Sequence, residues 1–379
     1  MNTTTPNPTT PRIAIIGAGP GGLTCARILQ RHGLAATVHE GRPGPDARDQ
    51  GGSLDLHEDD GQIALREAGL LDEFLRRARP EGQERRQMDP TGALLFHHVP
   101  EEGELSTPEI DRGALRDLLL DSLRPGTVRW GQALTSVEGP DTGPRRLRFA
   151  DGTTREVDLV IGADGARSVV RTALSPARPE YTGITFLEAR FHDVDRAHPE
   201  LSALVGPGSV GAADGRRGLF AQRGGGGHIR AYVIQRLPRT WITDAGLTPR
   251  DTEGIRAFLL AEFRDWSPTL RRLLTDNDGP YVDRPVNALP VPHTWDRSPT
   301  VTLLGDAAHL MPPLGVGVNL AMLDACELAL ARHATVADAV RAYEATMLPR
   351  AHAAQRALEN GAGELVSAEL PDFAAGAGR

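Results

Sequence analysis

Apolar and polar positions alternate in three distinct ways along the chain. Near the start, Arg12 to Ile16 is a short β-branched run, which predicts a buried strand. LTCARILQRHG (23–33) then recurs at helical spacing and ends at Gly33, a glycine suited to a helix C-cap. AATVHE follows as a second strand ending in Glu40. A similar buried strand is predicted in VDLVIGA (157–163) and another in TVTLL (300–304), the latter leading into a long apolar helix after residue 315. The second pattern occupies 176–285, where GITFLEARFHDV, RRGLFAQR and HIRAYVIQR alternate with a period of two and read as antiparallel strands. GGGG (224–227) reads as the hairpin turn between two of them, because no helix follows it. The third pattern, VADAVRAYEATMLPRAHAAQRALENGAGEL, is one long helix, with Pro349 expected to kink it or to start a new turn.

Composition narrows the function. The chain has 379 residues, 40% of them apolar, enough for two domains sharing a core. Its formal net charge is -8 with no basic segment, which argues against nucleic acid as a partner. There is no lysine, and all 42 basic residues are arginine, so chemistry through a lysine Schiff base is excluded. Cys25 and Cys326 lie in helical runs and suggest neither a disulfide framework nor a zinc site. The first eleven residues lack the pattern of a signal peptide, and no apolar run approaches ~18 residues, so a cytoplasmic chain with no membrane span is expected. The arginine-rich runs 76–86 and 145–148 read as solvated faces, and His97 and His98 as surface residues rather than metal ligands.

Candidate chemistry sits in three glycine-rich turns. In GAGPGG, Gly17, Gly19 and Gly22 follow a strand and open a helix. Gly17 would permit the turn, Gly19 the close approach of a pyrophosphate, and Gly22 the packing of helix on strand. Glu40, 18 residues after Gly22, stands where an acid accepts hydrogen bonds from an adenosine ribose. The second turn is Asp164-Gly165 with Arg167 and Ser168. The third is LGDAAHLMPP followed by LGVGVN, with Asp306, Pro313, Gly315, Gly317 and Asn319. Asp306 could also cap the helix that follows it. His309 is expected to pack or cap.

GAGPGG with Glu40, ADGARSVVR and GDAAHLMPP…GVN, in this order, resemble the class A flavin monooxygenases, relatives of the aromatic hydroxylases. GGSLDLHEDDGQIALREAGLLDEF (51–74), PEIDRGALRDLLLDSL (108–123) and the closing PDF (371–373) are most similar to the tetracycline destructases. The resemblance implies an α/β fold: an FAD-binding, Rossmann-like domain of the aromatic-hydroxylase type, an inserted, mostly antiparallel substrate sheet, and a bracing C-terminal helix. The expected boundaries are 11–80, 106–175 and 285–335 for the FAD domain, 81–105 and 176–284 for the substrate domain, and 336–379 for the C-terminal segment.

The resemblance also assigns roles. Asp306 would accept from the ribityl chain of FAD, and Gly315 and Gly317 would admit the flavin ring. The helix beginning near Asn319 would aim its positive end at the flavin pyrimidine edge. Asp55 and Arg112 match FAD-contacting positions, and Arg48 matches one linked to NADPH. Asp164 belongs to the same cofactor set. Arg48 and Arg112 could also be ordinary surface arginines. The implied cycle reduces FAD with NADPH, adds oxygen to give a C4a-hydroperoxide, and transfers oxygen to a polycyclic phenol or enol, with tetracycline as one candidate. The alternatives are natural-product tailoring of another aromatic, or an FAD protein that sequesters a drug without turnover; a plain NAD-dependent dehydrogenase fits the motifs poorly. Glu188, Phe220, Arg230 and Pro313 are the substrate-facing candidates, although Glu188 and Arg230 could simply pair with each other. Two departures from the destructases are visible. Their polar set on the middle strands is not reproduced, and the loop after MPP is one residue shorter. A monomer is expected.

Overall fold

In the computed structural model, which describes residues 11–47, 51–331 and 335–364, the three sequence patterns become three layers. A five-stranded parallel sheet has the order Val301–Leu303, Leu159–Gly162, Ile13–Ile16, Ala36–His39, Val128–Arg129. Its strands are apolar because helices cover it, chiefly Pro20–Arg31 and Gly317–Leu330. These two helices approach closely: a Cβ on Gly21 would lie 2.9 Å from the Ala321 carbonyl oxygen. The first helix starts three residues earlier than the periodicity indicated, with Pro20 in its first turn, and ends at Arg31 just before the left-handed Gly33.

A seven-stranded sheet has the order Val282–Ala288, Glu180–Phe191, His228–Arg236, Arg217–Gly224, Ser209–Ala213, Arg85–Met88, Leu94–His98. It is antiparallel except where Ser209–Ala213 meets Arg85–Met88. Its alternation gives it two different faces. Leu187, Ala189, Ala231, Val233 and Leu219 point into a core closed by helices, whereas Phe186, Glu188, Arg190, Phe220, Arg230 and Tyr232 point the other way. The helices of this layer, including Pro199–Val205, Thr252–Glu262 and Pro268–Thr275, correct the all-strand reading of 176–285. Pro199 and Pro268 open two of them, and Asp251 and Ser267 cap two of them through side-chain bonds to Gly254 and Leu270. GGGG does connect two antiparallel strands.

Two arginines depart from the solvated-face reading. Arg145 is buried and donates to Gly139, Asp141 and Thr300, and Arg86 donates to the Ala203 and Leu204 carbonyls. His97 and His98 lean on Glu84 and Glu104. Both cysteines are buried and free. No helix among the described residues is long and apolar enough to cross a membrane.

The helix Val336–Glu364 runs through Pro349 without a break and braces the molecule. It does so through one buried carboxylate. Asp324 accepts from the Gly305 amide at 3.0 Å, from His309 Nε2 at 2.6 Å and from Arg350 Nη2 at 2.8 Å. Arg350 also holds Glu327. Burial alone would drive His309 toward neutrality, but the Asp324 charge outweighs it and raises the imidazole pKa. Burial would raise Asp324, and His309 with Arg350 instead holds it below the usual range.

This network predicts a pH-dependent stability. The Asp324 contribution is complete above about pH 3.9, the ordinary carboxyl value, and is lost as pH falls toward its depressed native value. The His309 contribution is complete below about pH 6.5 and is lost as pH rises through its raised native value. Replacing Asp324 by Asn should cost about 3–5 kcal/mol between these limits, because buried cations lose their partner. Urea unfolding across pH checks it. A variant whose deficit stays constant from pH 5 to pH 9 contradicts the assignment.

Candidate cofactor and substrate site

The first turn is built by glycine for two opposite reasons. Gly17 has φ 108°, and a Cβ there would lie 2.3 Å from the Ala163 carbonyl oxygen. A Cβ on Gly22 would lie 2.1 Å from the Gly17 carbonyl oxygen. Both glycines are forced by the protein itself. Gly19 is different, since a Cβ there would meet nothing within 4 Å. The open space over Gly19, beside the amides that begin the helix, is a cradle that a side chain would fill and that a pyrophosphate fits. Glu40 is tied to this turn, its carboxylate accepting from the Ala18 amide at 2.9 Å and the Arg42 amide at 3.0 Å. Two such bonds leave a carboxylate with further acceptor capacity.

The second turn packs behind the first. Asp164 accepts from Ser168 Oγ at 2.5 Å and from the Val169 and Val170 amides at 2.7 and 3.2 Å. The contacts of this carboxylate in the structure fold its own loop. Arg171, which the sequence reading passed over, is buried and ties that loop to the third turn through the carbonyls of Asp306 and Ala307.

The third turn places Asp306 as the first residue of a short helix, with Gly305, at φ 57°, in the capping position. The carboxylate does not cap the helix, so the alternative role does not apply. Protein surrounds Asp306 closely enough to push its pKa up, against the pull of His309, Arg112 and Arg171. Yet the residue is exposed to solvent, and among the described residues no hydrogen bond reaches its carboxylate. A carboxylate that is both deep and open is an acceptor in search of a donor. Pro313 and Gly315, farther along the same loop, are exposed as well.

Asn319 has a structural task. Its side chain accepts from the His57 amide at 2.9 Å and donates to the Asp55 carbonyl at 2.9 Å and the Gly315 carbonyl at 3.4 Å. It thereby joins the helix that starts at Gly317 to the strand Ser53–Asp55 and the glycine loop. A Cβ on Gly315 would lie 3.7 Å from the Asp55 carboxylate, which also meets His57 at 3.1 Å. Arg112 opens the helix Arg112–Asp121. Burial lowers its pKa, the Asp306 charge opposes this, and Tyr232 and Arg284 also act on it. Asp55, Arg112, Asp306 and Gly315 therefore share one groove. Arg48 lies outside the described residues.

The exposed face of the seven-stranded sheet covers this groove. Phe220, Phe186 and Tyr232 pack on an apolar cluster with Met311 and Leu314 from the third turn. Arg230 and Tyr232 reach over Gly52, where a Cβ would lie 3.3 Å from the arginine stem and 3.6 Å from the phenol oxygen. Glu188 is 1% exposed and accepts from Arg190 at 2.6 Å, Arg230 at 2.7 Å and Arg284 at 2.5 Å. Burial would raise its pKa, but these guanidiniums hold it below the ordinary range. The pairing alternative thus describes Glu188 and Arg230.

Several residues escaped the sequence reading. Tyr232 lies two positions after Arg230, on the same face of a strand, which the period of two could have shown. Glu109, bonded to Ser53 and Gln222, has its pKa pushed up to about 7 by burial and by the nearby Asp55. Asp324 was visible as a charge within an apolar helix, which demands a partner.

The comparisons with known proteins give the family. A family model for an FAD binding domain matches residues 10–243 and 291–358. The monooxygenase penA of Penicillium thymicola is 31% identical over 91% of this chain and 93% of its own length. The 3-amino-4-hydroxybenzoate 2-monooxygenase PtnB3 of Streptomyces platensis is 32% identical over 91% of this chain and 86% of its own. The solved tetracycline destructase Tet(51) matches with a TM-score of 0.68 at 21% identity, over 97% of this chain and 94% of its own, which shows a common fold. The kinship is therefore broader than the destructase-like motifs implied. With its glycine cradle, open Asp306 and these relatives, the chain belongs to the FAD-binding-domain family, as an FAD-dependent monooxygenase of the hydroxylase type.

Proposed function

We propose that this protein uses NADPH, FAD and oxygen to hydroxylate an electron-rich phenol or enol, in the manner of a natural-product tailoring hydroxylase. The observation that carries this reading is the open Asp306 carboxylate and Arg112 facing an aromatic wall of Phe186, Phe220 and Tyr232. FAD, once reduced, supplies the oxygen activation that the side chains cannot.

The protein supplies position and dryness. Gly17 and Gly19 shape the turn that takes the pyrophosphate, and Glu40 accepts from the adenosine ribose. Asp306 accepts from the ribityl hydroxyls, where a charged acceptor strengthens the bond. Arg112 and Asp55 would contact the FAD, and Gly315 and Gly317 would let the backbone approach its ring. The helix Gly317–Leu330, fixed by Asn319, turns its N-terminal amides toward the loop and favours negative charge there. Asp164 supports the cofactor loop from behind. Phe220, Tyr232 and Pro313 wall the substrate and exclude water.

Relatives above 30% identity bear the names of other monooxygenases, three of them named for 3-amino-4-hydroxybenzoate. This supports a tailoring role over tetracycline inactivation.

Two outcomes are expected. The purified FAD-loaded protein, with NADPH and air, should add one oxygen atom to phenols in a panel that includes tetracycline, detected by mass spectrometry. NADPH consumption should rise with the true substrate. Ligands that bind without either effect would establish the sequestering alternative instead. Separately, Gly19→Val should leave the melting temperature of the FAD-free protein within ~1–2 °C, since nothing lies within 4 Å of a Cβ there, while weakening FAD binding at least tenfold, roughly 1.4 kcal/mol. Gly17→Val should instead impair folding, through its positive φ and the Ala163 clash. Equal FAD affinity in wild type and Gly19→Val would remove the pyrophosphate from this turn.

A further inference from the structure

The large apolar side chains left in solvent are gathered in one place. Among the described residues they are Leu94, Leu95, Phe96 and Val99, each more than half exposed, and Leu105, 36% exposed. Apolar residues scattered singly over a surface are ordinary, but a contiguous patch marks a contact. Leu94, Leu95 and Phe96 lie on Leu94–His98, the edge strand of the seven-stranded sheet, whose outer side has no strand beside it. The patch is separate from the cofactor groove, because Gly211 and Gln87 stand between Phe220 and Phe96 in the same row of the sheet.

This edge is poorly protected. Natural edge strands are blunted by lysine, proline or inward-pointing charge, and Leu94 to Val99 contains no Lys, Pro, Arg, Asp or Glu. His97 and His98 are drawn to Glu84 and Glu104, at 2.8 and 3.3 Å. One protective device is present. The register shifts between Gln87 and Met88 and leaves Leu95 without a partner, a bulge that interrupts the ladder a further strand would need. The edge therefore meets a partner through side chains rather than through its backbone.

Area and charge select that partner. On the ~150–250 Å² scale of a large apolar side chain, five that are about half exposed present ~400–600 Å². That is at least half of the ~800 Å² each subunit buries in a stable pair. A lipid surface fits badly, since Glu101, Glu102 and Glu104 follow the strand in a chain of net charge -8, and anionic headgroups repel them. A patch with no formal charge offers no complement to a charged foreign surface, but it complements itself.

We propose that this patch is the contact between two copies of the chain, packed about a two-fold axis with Leu95 and Phe96 at its centre, in place of the monomer expected from the sequence. The same patch serves both subunits, so the contact closes at two copies and does not propagate.

The test is sedimentation equilibrium of the FAD-loaded protein across a wide range of concentration. The wild type should sediment at twice the mass of one chain. Phe96→Glu and Leu95→Glu should each raise the dissociation constant of the pair at least about a hundredfold, since the two-fold axis places every new charge in the contact twice. Both residues are exposed and far from the groove, so FAD content and the far-ultraviolet dichroism should match the wild type and show that the variants are folded. A wild type that stays at the mass of one chain throughout overturns the inference. So does a pair that persists unchanged in both folded variants, which would place the contact elsewhere. A wild type that is monomeric and floats with phosphatidylcholine vesicles, while Phe96→Glu does not, also overturns it and gives the patch to a lipid surface.

Discussion

The buried carboxylate of Asp324 is the constraint on which the cofactor groove depends. It fixes the backbone at Gly305 through the amide, the end of the short helix through His309, and the bracing helix through Arg350. Between the first two anchors lies Asp306. Among the described residues no hydrogen bond orients its side chain, so its direction is set by the turn and by the charges of His309, Arg112 and Arg171. A flexible turn here would let a deep carboxylate fold back onto an amide or onto Arg112. The bracing helix is thus part of the site, and its Leu358 and Ala354 join the apolar cluster behind the aromatic wall.

A second buried carboxylate organises the opposite wall by the same logic. Glu188 gathers guanidiniums from its own strand and from both neighbouring strands. Such a cluster adds little net stability, because desolvating the charges offsets most of their attraction. What it does provide is orientation. Each arginine is held at a known angle beside the aromatic residues, and long side chains that would otherwise sweep across the groove are pinned to the sheet. In both walls a buried charge orients an exposed one.

The cofactor half of the groove was legible in the sequence for a physical reason. A phosphate is bound by backbone amides at a helix start, so its signature is the absence of side chains at fixed positions. Gly17, Gly19 and Gly22 lie within six residues, and the strand and helix around them are set by local periodicity. The open Asp306 was found because its motif follows a strand in the same way. The parallel and antiparallel sheets were legible from periods as well. The helices of the second layer were not, since short amphipathic turns between strands resemble alternating segments until a cap such as Asp251 or Ser267 is noticed.

The substrate half was only partly legible, because its determinants are relations between distant strands. Nothing near Glu188 in the chain shows that Arg230 and Arg284 converge on it. That convergence requires the register that sets Glu188 beside Tyr232 and Phe186 beside Arg284. A one-residue slip in that register would turn Phe186 and Glu188 into the core and Leu187 and Ala189 onto the groove. The apolar residues on the helical side, Leu187, Ala189 and Phe191, forbid the slip, since moving them outward would bury Glu188 and Arg190 without partners. Hydrophobic burial on one face of the sheet therefore fixes which charges appear on the other. The chemistry of the groove is in this sense a consequence of packing that the ligand never touches.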